Sequence, residues 1–134
     1  MTEKTYPATL GTFTEANGYI EEQLDMAGAS MKVSMQIQMA FEEIFVNIAS
    51  YAYPDGCGNV TIGHESGNGI FTLRFTDTGI PFNPLEREDP DVKSKAEDRS
   101  IGGLGIFMVK KTMDTVDYEY RDGCNILTLT KRIN

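Results

Sequence analysis

Tryptophan is absent from this 134-residue chain, histidine occurs once and cysteine twice. Each scarcity removes a class of site. His64, Cys57 and Cys124 lack the paired spacing of a structural zinc centre, and two scattered cysteines build no disulfide framework. Free thiols and a cytoplasmic location are the expectation. Positive charge is also short: 12 Lys and Arg face 20 Asp and Glu, leaving a net charge of −8. That balance argues against nucleic acid or an anionic membrane as the main partner. No apolar run is long enough to span a bilayer, and Met1-Thr2-Glu3-Lys4 does not open a signal peptide. The length fits one domain, residues 1–134, with a core of its own.

What the chain does have is a glycine-dense stretch, Ile101-Gly102-Gly103-Leu104-Gly105, running into the apolar Ile106-Phe107-Met108-Val109. A loop of this kind at the start of a helix offers unpaired N–H groups and a positive dipole end to one spot, which suits a phosphate. Alone, it is equally a glycine-rich turn without a ligand. A dinucleotide fingerprint would need glycine where Met108 stands, and a P-loop would need Lys-Ser/Thr after Gly105.

Taken in order, residues 4–13 alternate weakly, as an edge strand would. Ala16, Tyr19, Ile20 and Leu24 recur at helical spacing from Thr14, a plausible cap, to Gly28, a helix stop. A second helix is predicted from about Lys32 to Tyr53. Its apolar face is Val33, Ile37, Ala40, Phe41, Ile44, Ile48 and Ala52, widened by Met35, Met39, Phe45 and Val46. Gln36, Glu43, Asn47 and Ser50 form a narrow polar stripe, and no Lys or Arg lies between Lys32 and Tyr53. The stripe reads as the wall of a polar pocket, or else as a wet face that lacks basic residues.

Two strands follow, about Asn59–Glu65 and Ile70–Thr76, around the hairpin turn Ser66-Gly67-Asn68-Gly69. Period two places Asp77 on the face of Phe71, Leu73 and Phe75. A carboxylate there is costly without donors, and it suits a ligand amino group such as that of adenine. The other reading ends the strand at Thr76 and makes Asp77 the start of a turn with Gly79. A polar, acid-rich segment then leads to the glycine loop; loops this long inside a domain are usually functional lids or disordered. A third helix, about Gly103–Met113, and a hairpin of Val116–Arg121 and Asn125–Lys131 around Asp122-Gly123 complete the chain. The order β-α-α-β-β-lid-α-β-β predicts an α+β two-layer sandwich: a mixed or antiparallel sheet covered on one face by helices.

Three separated blocks, Glu43-Ile44-Phe45-Val46-Asn47, Asp77-Thr78-Gly79-Ile80-Pro81-Phe82 and Gly102-Gly103-Leu104-Gly105, occur in the order and spacing of the N box and two glycine boxes of the GHKL ATPases. From about Phe13 onward the chain resembles the bacterial anti-sigma factor serine/threonine kinases of that superfamily. The likeness extends through Ile-Gly-Gly-Leu-Gly-Ile-Phe-Met-Val and the closing Asn125-Ile126-Leu127-Thr128-Leu129-Thr130-Lys131.

The resemblance implies a Bergerat ATP-binding fold with a lid at about 82–101. It implies that Glu43 is the general base and that Asn47 holds Mg²⁺. It assigns Asp77 to the adenine amino group, Gly79 to close approach of the base, and Gly102, Gly103, Leu104 and Gly105 to the phosphates. ATP, ADP and Mg²⁺ are the implied ligands. The implied activity is phosphorylation of a small anti-sigma-factor antagonist by a homodimer that also sequesters a sigma factor or similar regulator. The alternative is an ATP-gated binding module without kinase activity; a histidine kinase fits less well, because His64 falls in a strand. Two positions depart from the pattern. Ile101 stands before Gly102 where such kinases can carry Arg, Arg99 being the nearest candidate. Gly123-Cys124-Asn125 also lacks the Thr that supports the adenine-binding acid in related ATPases.

Overall fold

The computed structural model describes residues 1–86 and 103–133. The described elements are β1 (Thr2–Pro7), α1 (Phe13–Met26), α2 (Met31–Asn47), β2 (Asn59–Gly67), β3 (Ile70–Asp77), α3 (Gly103–Thr112), β4 (Thr115–Arg121) and β5 (Cys124–Arg132). The strands form one sheet in the order β1-β2-β3-β5-β4, with every pairing antiparallel. The helices cover one face, which gives the expected α+β two-layer sandwich.

Local chemistry explains most boundaries. Both tight hairpins place their turn residues at positive φ, Asn68 with Gly69 and Asp122 with Gly123, the pairs that a two-residue turn of this hand favours. β1 is an edge strand but stops at Pro7, short of the predicted range, because proline offers no N–H to the ladder. α1 begins at Phe13, so Thr14 lies inside the helix and is not its cap. The residue before it, Thr12, turns its hydroxyl back to the carbonyls of Pro7 and Thr9 (2.6 and 2.9 Å). Gly28 ends α1 as expected: Ala29 N–H reaches Leu24 O and Gly28 N–H reaches Asp25 O, both at 3.1 Å.

Ser30 caps α2 by accepting from Val33 N–H (3.2 Å). The predicted single helix to Tyr53 is two structures, because regular α geometry stops at Asn47 and Ile48–Ala52 form a π-helical turn. Ile37, Ala40, Phe41, Ile44 and Phe45 are buried as their spacing predicts. Met35 and Met39 are not; they stand 57% and 59% exposed, and Met39 lines the open groove between α2 and α3. The centre of the core is aromatic. Phe41 packs against Phe75 (5.5 Å between centroids), Phe45 (5.6 Å) and Phe13 (6.0 Å), joining α1, α2 and β3. Each such ring contributes about 1.5–3 kcal/mol through burial.

Inward residues alternate along the strands: Val60, Ile62 and His64, then Phe71, Leu73, Phe75 and Asp77, then Asn125, Leu127 and Leu129. His64 is buried beside Phe71 and shares a 2.7 Å hydrogen bond with the Tyr19 hydroxyl. Burial, and then the positive N-terminus, lower its pKa below the ordinary 6.5. The unfolded chain therefore binds this proton more readily than the folded one. The stability contribution is fully present above pH 6.5 and is lost as the pH falls from there through the folded-state pKa. A melting series between pH 7 and 5 is expected to show falling stability (about 7 to 5 spans the His range). His64→Phe should flatten that slope, and since the chain has a single histidine, an unchanged slope would rule out this origin.

Candidate active site

Asp77 ends β3 with its side chain pointing into the molecule, only 5% exposed. It pairs in register with Val60 and Asn125, so the strand does include it and the reading that stops at Thr76 falls. Its burial is compensated. Oδ1 accepts from Gly79 N–H and from Asn125 Nδ2, each at 2.9 Å, while Oδ2 accepts from none of the described residues. Asp77 lines a largely apolar cavity walled by Ile44, Ile48 and Ala52 on one side and floored by Phe75 and Leu127.

Asn125 is the site residue that sequence reasoning missed. The missing Thr marked this region as a departure, yet parity along β5 places Asn125 on the inward row of Leu127 and Leu129, the same signal that exposed Asp77. Its Nδ2 donates to Asp77 Oδ1 and to Ile80 O (2.9 Å each), and its Oδ1 accepts from Phe82 N–H (3.1 Å) and the Tyr118 hydroxyl. Burial raises the Tyr118 pKa above the ordinary 10.

Gly79 sits tightly against the π turn. A Cβ there would overlap the carbonyl oxygen and the Cβ of Ala52. The next residue uses the same carbonyl, Ile80 N–H to Ala52 O at 2.9 Å, so a backbone acceptor at the end of the helical segment anchors the chain leaving β3.

On α2, Glu43 and Asn47 lie one turn apart, and Asn47 Nδ2 donates to Glu43 Oε1 at 3.3 Å. That bond commits the amide nitrogen of Asn47 and leaves its oxygen available. Asn47 lines the Asp77 cavity; Glu43 and Gln36 line a groove between α2 and α3. The predicted polar stripe therefore divides, and Ser50 faces solvent because the π turn shifts the helical register after Asn47. Across the groove the backbone of Gly105 lies against the Glu43 carboxylate, where a Cβ would overlap it. Gly103 and Leu104 open the backbone of α3. Gly102, Ile101, Arg99 and residues 87–101 of the predicted lid lie outside the described residues. Among those described, no three His, Cys, Asp or Glu cluster around a possible metal, and no helix is long and apolar enough to cross a membrane. A hard cation here would rest on the Asn47 oxygen with waters and phosphates, a set that suits Mg²⁺.

The sequence matches the histidine kinase-like ATPase domain over residues 6–131. The chain belongs to that family. Within it the chain is similar to the serine-protein kinase RsbW of Listeria monocytogenes, 29% identical over 113 residues that cover 81% of this chain and 71% of the relative. It is also similar to the serine/threonine-protein kinase BtrW of Bordetella bronchiseptica, 25% identical over 123 residues covering 91% and 87%. In fold it matches the RsbU and RsbW domains of Rv1364c from Mycobacterium tuberculosis, with a TM-score of 0.63 at 18% identity over 99% of this chain and 33% of that one. The Acinetobacter baumannii histidine kinase AdeS gives a TM-score of 0.55 at 14% identity, covering 100% and 70%.

Proposed function

We propose that this protein is an ATP-dependent serine/threonine kinase acting as an anti-sigma regulatory factor. Its substrate is a small anti-sigma-factor antagonist, and it sequesters a sigma factor or similar regulator, as a cytoplasmic homodimer. The observation that carries this reading is the linkage of Asp77, Asn47 and Glu43: two of them line one cavity, and the third is hydrogen-bonded to the second. Relatives named as serine and serine/threonine protein kinases support the transferase assignment.

In this mechanism Asp77 accepts a hydrogen bond from the adenine amino group and Gly79 keeps the backbone close enough for the base to enter. Gly102, Gly103, Leu104 and Gly105 receive the phosphates at the start of α3. Asn47 would hold Mg²⁺, and the ion would supply neutralisation of charge on the phosphates. Glu43 takes the proton from the acceptor Ser or Thr hydroxyl as its oxygen bonds to the γ-phosphorus and the bond to ADP breaks. The proton then passes to water. Phosphoryl transfer of this kind depends on positioning and charge neutralisation more than on covalent chemistry by the protein.

Incubation with γ-labelled ATP and candidate small antagonist-like proteins from the same organism tests the proposal. Labelled phosphate on a Ser or Thr of one of them is expected. ATP binding without transfer to any cognate protein would instead favour an ATP-gated binding module.

A further inference from the structure

Asn125 uses its whole hydrogen-bonding capacity. An amide side chain has two donors and two acceptor sites. Here the two donors go to Asp77 Oδ1 and Ile80 O, and the two acceptor sites take Phe82 N–H and the Tyr118 hydroxyl. The network also fixes which way the amide points, since a flipped amide would set its NH₂ against two donors and its oxygen against two acceptors. Asn125 is 7% exposed and Asp77 5%, so water cannot readily replace a lost partner.

We propose that Asn125 is a positioning residue for base selection: it locks the Asp77 carboxylate so that Oδ2 alone is presented to the ligand. This rests on the nucleotide reading above. With Oδ1 saturated by Asn125 and Gly79, the free oxygen is a pure acceptor at a fixed place. It accepts from the amino group of adenine and opposes the carbonyl oxygen that hypoxanthine and guanine carry there. A buried site built for one N–H donor rejects the analogue that lacks it, provided the acceptor cannot turn away. The same amide ties Ile80 O and Phe82 N–H together, so the turn after β3 is held in the conformation that supplies the Gly79 N–H to Asp77. Tyr118 acts one step further out, by holding the amide.

Calorimetric affinities of ATP and inosine triphosphate, measured on the whole protein, test this. Wild type is expected to prefer ATP. In Asn125→Ala, ATP affinity should fall by about 10- to 100-fold, the worth of a hydrogen bond to a charged group, while inosine triphosphate is little affected. Tyr118→Phe removes one hydroxyl without loss of bulk, so it covers the case in which Asn125→Ala fails to fold; it should narrow the same preference to a smaller degree. A merely structural Asn125 would weaken both triphosphates in proportion, and an unchanged ATP preference in either soluble variant overturns the proposal. A wild type that binds both triphosphates equally would overturn adenine reading by Asp77, and this proposal with it. A wild type that binds neither would reject the nucleotide site itself.

Discussion

Glu43→Gln is expected to keep its affinity for ATP and to transfer phosphate about 10²–10⁴ times more slowly, the usual cost of removing a general base. The substitution is nearly isosteric, and its amide oxygen can still accept from Asn47 Nδ2, as Glu43 Oε1 does at 3.3 Å. Geometry is preserved and basicity is lost. Gly105→Ala should also slow transfer, from the other side of the groove, but with weaker ATP binding, because Gly105 belongs to the stretch that receives the phosphates. The atoms nearest the added Cβ are the far end of the Glu43 side chain, which can swing aside, so the protein folds with its base displaced. Transfer rates are read with labelled ATP, and affinity by calorimetry. Transfer by Glu43→Gln at the wild-type rate would remove Glu43 from the mechanism.

Gly79→Ala should instead abolish detectable ATP binding and lower stability by about 1–3 kcal/mol, the range for an overpacked site. The atoms its Cβ would meet are the carbonyl group and Cβ of Ala52, which no rotamer change can move. Relief requires the turn to shift, and that breaks Gly79 N–H to Asp77 and Ile80 N–H to Ala52 O together. Gly18→Ala is the control. It lies inside α1 with open space around it, and should stabilise by about 0.5–1 kcal/mol through helix propensity. Wild-type affinity in Gly79→Ala would show that this close approach does not matter to the nucleotide.

Period and parity made much of this legible in the sequence. Period two along β3 placed Asp77 on the buried row, and helical period placed Glu43 and Asn47 on one face of α2. The turn pairs Asn68-Gly69 and Asp122-Gly123 marked both tight hairpins, because few residues accept positive φ. What stayed hidden depends on contacts between distant segments. The π turn at Ile48–Ala52 has no pattern of its own, yet it moves Ser50 out of the polar stripe and aims the Ala52 carbonyl at Ile80. Met35 and Met39 look like core by composition, and only the placement of the neighbouring helices leaves them outside. Asn125 lies in the inward row of its strand, but its partners come from β3, β4 and the turn after Asp77, and no local pattern announces that meeting.

The most direct test is titration calorimetry of ATP in millimolar Mg²⁺ into wild type and Asp77→Asn. The account predicts saturable one-site binding to wild type. It predicts binding weaker by about 1–3 kcal/mol in the variant, the cost of exchanging a charge-assisted hydrogen bond for a neutral one in a buried site. Neither ATP nor ADP binding to the wild type, or equal affinity in both proteins, would contradict it.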